Sequence, residues 1–329
     1  MAGMNGFTDL ADRVRRRERR AVARALSLVE TGGPDAQSLL ALLHPDTGRG
    51  HIVGVTGAPG TGKSTLVNAI TAEYRRRGHT VGVIAVDPTS PFTGGAILGD
   101  RIRMQSHHGD QGVFIRSMAS RGQLGGLAVA TSDAVRVLDA AGFDPILVET
   151  VGAGQSEVEI AGAAHTTIVV LVPNLGDDIQ AIKAGILEIA DIFDVNKADL
   201  PGADQAVATL RAMMMLGARE RAQKDRAAAS PPWQIPIQET VGATGKGIGG
   251  LVDRIQEHRA YLESSGLLGD LERDRAEGQL RDILRTWLLQ ELLTNLPQNG
   301  LADTAARVAE RTIDPYTAAE ELLGWRRLD

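Results

Sequence analysis

His51-Ile-Val-Gly-Val-Thr-Gly-Ala-Pro-Gly-Thr-Gly-Lys-Ser-Thr65 joins an apolar, β-branched run to a glycine-rich turn and then to a helical pattern. Gly57 to Ser64 reads G-x-x-x-x-G-K-S. Glycines let such a turn close tightly, so that successive backbone N–H groups point at an anion, and the following helix adds the positive end of its dipole. Gly57, Ala58, Pro59, Gly60, Thr61, Gly62, Lys63, Ser64 and Thr65 are therefore expected to cradle phosphates, with Lys63 reaching the β/γ-phosphates and Ser64 ligating Mg²⁺. A glycine-rich turn could match the pattern by accident. Here a buried-strand pattern over Ile52 to Thr56 precedes the turn and a helical pattern over Lys63 to Arg77 follows it, which is the context a nucleoside triphosphate site requires.

Outward from this stretch, β and α patterns alternate, the signature of a mostly parallel sheet with helices on both faces. Strands are expected at Ile52–Thr56, Thr80–Val86, Gly112–Ile115, Pro145–Glu149, Thr166–Val172, Ile192–Val195 and Gln234–Gln238. Helices are expected near 63–77, 124–142, 155–163, 177–190 and 203–216. An amphipathic helix over 7–31 and a short one near 36–43 precede this core, and helical stretches near 247–264, 267–296 and 301–323 follow it. The organisation reads as an N-terminal helical extension over 1–48, a nucleotide-binding domain over 49–258 and a C-terminal helical arm over 259–329. Leu280, Ile283, Leu284, Trp287, Leu288 and Leu292 recur through that arm, which cannot bury such a face alone and calls for the core, a second copy or another protein.

Composition narrows the partners. The net charge of −6 and the 3% aromatic content are poor material for a nucleic-acid surface. The arginine run Arg13 to Arg20 reads as a solvated helix face or a protein contact rather than a nucleic-acid or lipid patch. Absence of cysteine excludes disulfides and thiolate metal sites, and the lack of any apolar run long enough for a membrane span or signal core leads to the expectation of a cytoplasmic protein.

Asn196-Lys197-Ala198-Asp199 follows a strand and matches N-K-x-D. Asp199 can accept hydrogen bonds from guanine N1–H and the 2-amino group, donors that adenine lacks on that edge, so GTP and GDP are favoured over ATP. Gly242, in Thr240-Val-Gly-Ala-Thr-Gly-Lys-Gly, is a candidate backbone contact to the base. Glu149-Thr-Val-Gly152 closes another strand, where Glu149 can hold the metal and Gly152 can sense the γ-phosphate; the alternative is a glutamate capping the next helix. Asp87 and Asp100 are further carboxylates of this group, and how Lys63, Asp87, Asp100 and Glu149 divide metal binding and water activation stays open. His107 and His108 read as turn or surface residues.

Together with these motifs, Val86-Asp-Pro-Thr-Ser-Pro-Phe-Thr-Gly-Gly through Arg103-Met104, Gly122-Gln-Leu-Gly-Gly126 and Glu149 to Glu157 resemble the MeaB-type P-loop GTPases, chaperones of adenosylcobalamin-dependent methylmalonyl-CoA mutase. The resemblance implies a homodimeric GTPase whose hydrolysis gates cofactor loading of an acyl-CoA mutase and protects or reactivates it. It puts Asp87 and Asp100 in a first switch, Glu149 to Gln155 in a second, and the segment from Asn174 to Glu188 in a partner-contacting switch, with Gln155, Asp177, Gln180 and Lys183 as coupling candidates. A plain amphipathic helix starting at Asp177 would suit the same residues. Two other functions compete: a P-loop small-molecule kinase, and a GTPase chaperone of another metalloenzyme. The missing Cys- or His-rich segment counts against metal delivery, and the missing D-x-H-x-x-G means that the chain is not itself the mutase.

Overall fold

The computed structural model describes residues 2–88, 107, 109–120, 126–150, 162–173, 188–224, 232–297 and 299–324. Seven parallel strands form one sheet: β1 (Ile52–Thr56), β2 (Val81–Pro88), β3 (Val113–Ser120), β4 (Ile146–Thr150), β5 (Thr166–Leu171), β6 (Ile192–Val195) and β7 (Ile237–Glu239), in the order β3-β2-β4-β1-β5-β6-β7. β1 is central because its five residues are all buried and it pairs on one side with β4 and on the other with β5. A strand covered on both faces must be apolar throughout, and Ile-Val-Gly-Val-Thr satisfies that. The loop after β1 therefore opens at the carboxyl edge where the chain departs to both sides, the usual ligand crevice of such sheets.

Strand alternation sends side chains to two layers. On one face Ile52, Ile84, Val86, Ile146 and Val148 pack with α1 (Ala2–Arg15), α2 (Arg19–Thr31), α3 (Pro34–Leu43) and α5 (Gly126–Ala140). On the other, Val53, Val55, Val83, Leu147, Ile168 and Ile192 pack under α4 (Lys63–Arg76) and α7 (Ile248–Ser265). A third cluster joins Val169, Phe193 and Val195 to Ala206, Val207 and Leu210 of α6 (Ala203–Lys224). α8 (Leu267–Asn295), α9 (Gly300–Ala309) and α10 (Pro315–Leu323) complete the described α-helices. The chain divides into two units, 1–275 and 276–329.

The α/β architecture is the expected one, with local differences in where elements break, begin and end. The helix expected over 7–31 is two helices, broken where Arg17 takes a left-handed φ of 58°. The Arg17 guanidinium donates to the carbonyls of Ala141 and Gly142 and lies 5.0 Å from the Phe143 ring, so tertiary contacts hold the break. Helix 301–323 is likewise two: Asp314 caps the second by accepting from the N–H groups of Tyr316 and Thr317, and Pro315 occupies its first turn. β3 runs on to Ser120 because β2 continues pairing beside it. β7 starts at Ile237 rather than Gln234, in register with Phe193. The helices expected near 155–163 and 177–190 lie mostly outside the described residues.

Candidate functional site

The glycine-rich loop leaves β1 by crossing close to its neighbour. Gly57 has φ +141°, and a Cβ there would sit 2.3 Å from the Val170 carbonyl oxygen, so only glycine fits. At the far end Gly62 is left-handed at φ +88°, and a Cβ would lie 2.7 Å from the Asn196 amide nitrogen. α4 then begins at Lys63 with no side chain capping its first turn, leaving its N–H groups to face an anion. Lys63 is buried, and its Nζ donates to the carbonyls of Gly57 at 2.6 Å and Ala58 at 3.1 Å, folded against the loop it would leave to meet a phosphate. Pro59, Gly60 and Thr65 are exposed.

Glu149 reaches this site through sheet register. β4 pairs with β1 so that Val55 stands beside Glu149, one residue from the end of the strand. Ser64, in the first turn of α4, donates its hydroxyl to Glu149 Oε1 at 2.6 Å across 85 residues of sequence. The glutamate thus faces the loop, where its sheet alternation with Leu147 directs it. A hydroxyl and a carboxylate oxygen at this separation are hard donors of the kind Mg²⁺ takes. Asp87 is the penultimate residue of β2, one past Val86, which pairs with Thr150, and so lies at the same sheet edge; its side chain is outside the described residues.

On the other flank the Asn196 amide ties two loops together. Its Nδ2 donates to Thr61 O at 2.9 Å, and its Oδ1 accepts from Gly242 N–H at 3.0 Å. Lys197 adopts φ 55° and reaches back to Gly60 O at 2.8 Å. Ala198 N–H donates to Thr240 O, which closes the turn and leaves Asp199 exposed at its tip. The phosphate loop, the N-K-A-D turn and the Thr240–Lys246 loop are therefore one hydrogen-bonded unit. Asp100, Gly152, Gln155, Asp177, Gln180 and Lys183 lie outside the described residues.

Thr240 and Asp194 were not singled out by sequence. Thr240 donates to Asp194 Oδ2 at 2.9 Å and stands 3.4 Å from Asn196 Oδ1, and Asp194 is fully buried. The sequence signal for this pair is an acidic residue inside the apolar strand Ile192-Phe-Asp-Val195. Among the described residues no three His, Cys, Asp or Glu gather as a metal site. His107 sits in a turn with Nε2 3.3 Å from Asn68 O, and His108 is outside the described residues.

Residues 22–296 match the family described as Methylmalonyl Co-A mutase-associated GTPase MeaB. The chain belongs to the MeaB family. This MeaB-family chain is 49% identical to a protein of Pyrococcus horikoshii over 320 residues, covering 97% of the chain and 98% of that relative. It is 35% identical to GTPase ArgK of Escherichia coli over 317 residues, covering 94% and 93%. A solved structure titled LAO/AO transport system kinase is similar over 97% of this chain and 96% of its own, with 28% identity and a TM-score of 0.69. As a MeaB-family member with a P-loop fold, the chain is a GTPase that binds guanine nucleotide. No helix among the described residues is long and apolar enough to cross a membrane.

Proposed function

We propose that this GTPase gates adenosylcobalamin loading of an acyl-CoA mutase of the methylmalonyl-CoA mutase type and protects or reactivates it. The family match over residues 22–296 carries this reading, because the family is described by its mutase association. On this reading Gly57 to Thr65 hold the phosphates, Lys63 moves from the loop carbonyls to the γ-phosphate, and Asn196, Lys197, Asp199 and Gly242 hold the base. Ser64 and Glu149, with Asp87 and Asp100, would hold Mg²⁺, which neutralises charge developing on the phosphates when bound. Gly152 and Gln155 would sense the γ-phosphate, and Asp177, Gln180 and Lys183 would carry that state to the mutase. The protein acts in the cytoplasm as a homodimer, with the exposed apolar side of α8 against a second copy.

A small-molecule kinase is the second reading, and the similar structure with a kinase title favours it. Hydrolysis of GTP and ATP, each measured with and without purified cobalamin mutase, separates the two. Faster GTP hydrolysis in the presence of mutase supports the chaperone; a preference for ATP with phosphorylation of a small acceptor and no response to mutase overturns it.

A further inference from the structure

Asp194 is a carboxyl group in the interior, placed where strand alternation puts it on the same sheet face as Ile192, under α4 and α7. It receives one hydrogen bond, from Thr240 Oγ1 at 2.9 Å, and among the described residues its Oδ1 meets no hydrogen-bond partner. Thr240 Oγ1 is also 3.4 Å from Asn196 Oδ1. A hydroxyl has one proton and cannot donate to both oxygens. With Asp194 ionised, that proton goes to the carboxylate, the Asn196 contact becomes oxygen against oxygen, and a charge stays buried with a single donor.

Among the described residues no cation offsets that charge. β5 brings no ionisable side chain, and β7 brings Glu239, which is exposed. The described ionisable side chains of α6, Asp204 and Arg211, are exposed. On α7, Asp253 pairs with Arg77, Arg254 with Glu257, and Arg259 with Asp144 and Glu263. His258 bonds Thr166 at the opposite end of the sheet, and the Tyr261 ring lies tilted against Trp233, 5.5 Å between centroids. Lys63 and Lys197 donate to carbonyls of the phosphate loop.

We infer that Asp194 is a positioning residue that works as a neutral carboxylic acid: it donates its proton to Thr240 Oγ1, Thr240 donates its own to Asn196 Oδ1, and the Asn196 amide is thereby fixed between Thr61 and Gly242. Each proton then has one acceptor, and the oxygen left over on Asp194 is a carbonyl, which tolerates burial better than an anion. Burial pushes the Asp194 carboxyl up to about 8, against a lowering by the Thr240 hydrogen bond. That upward shift favours the neutral acid at physiological pH, and alkali removes it. The inference rests on the reading that the N-K-A-D turn holds the guanine base, since that is where the ordered amide acts.

Calorimetric titration of GDP at pH values from about 7 to about 9 tests the relay, because affinity falls by the fraction of protein in the competent form, roughly tenfold at one pH unit above the carboxyl's pKa. The wild type is expected to show that loss. Asp194→Asn, whose amide always donates to Thr240, is expected to keep the neutral-pH affinity and to lack the extra alkaline loss; deprotonation of guanine itself affects both proteins equally. Thr240→Val should weaken GDP binding at neutral pH, and Thr240→Ser should restore it. An alkaline loss of the same size in Asp194→Asn, or a drop of more than about tenfold in its neutral-pH affinity with an unchanged melting temperature, overturns the relay. Asp199→Asn with GDP and ADP tests the base reading separately: an unchanged preference for GDP sinks that reading, while the pH difference between wild type and Asp194→Asn still judges the relay.

Discussion

Lys63, Gly62 and Asp199 carry the predictions that belong to single residues. Lys63 is buried with its charge on two carbonyls, so Lys63→Ala leaves the loop standing and removes the cation that faces phosphate. A charge-assisted contact of about 1.5–3 kcal/mol is lost, and GDP affinity by calorimetry should fall roughly 10- to 100-fold with little change in melting temperature. Gly62→Ala acts differently, since it combines a left-handed φ of +88° with a Cβ 2.7 Å from the Asn196 amide. It should lower both nucleotide affinity and thermal stability, by about 1–2 kcal/mol from the backbone alone. Asp199 is exposed and among the described residues makes no bond that holds the fold, so Asp199→Asn should reduce GDP affinity by about 10- to 100-fold without lowering the melting temperature.

At the scale of elements, the two edges of the sheet have opposite demands. The carboxyl edge leaves donors open at the start of α4, whereas the amino edge is closed by buried side chains that bond one another. His51 Nε2 meets Thr166 Oγ1 at 2.8 Å, and the same oxygen meets His258 Nδ1 at 2.8 Å. His165 accepts from Ile52 N–H and bonds Glu272 from the start of α8. Burial, reinforced by neighbouring histidines, pushes His51 down to about 2 and His258 down to about 4. In the unfolded chain these rings protonate near their ordinary value of about 6.5. The unfolded state therefore binds more protons between about pH 6.5 and about pH 4, so stability is present above that window and declines as pH falls through it. Melting temperature should drop steadily across this range, and His258→Phe should flatten the slope even if it lowers the plateau.

For the whole molecule, the exposed side chains of the second unit set the expectation. Leu280, Leu284, Trp287 and Leu288 of α8 are 57%, 47%, 51% and 64% exposed, spaced along one helix. A second copy covering them would remove apolar area worth ~25 cal/mol per Å². Sedimentation should show a dimer for the wild type and a monomer for Leu284→Glu with Trp287→Glu, with basal GTP hydrolysis retained. If the double variant sediments as the wild type does, α8 is not the dimer face.

By itself the sequence determined the alternating α/β order, the phosphate loop, the N-K-A-D turn and the MeaB relationship, because each is written in neighbouring residues: a period of hydrophobicity, a run of glycines, a tetrapeptide after a strand. The breaks at Arg17 and before Pro315 were not readable from periodicity, since the first is held by the carbonyls of Ala141 and Gly142, more than 120 residues away, and the second by a local cap that leaves the apolar pattern uninterrupted. Tertiary structure alone decided which oxygens meet. It brought Glu149 to Ser64 through the β1–β4 register, and it set the Asn196 amide between the loops of Thr61 and Gly242. It also turned Asp194, an odd letter in an apolar strand, into a partner of Thr240. Pairing across a sheet depends on strand order and register, which are collective results of packing and have no local signature in the chain.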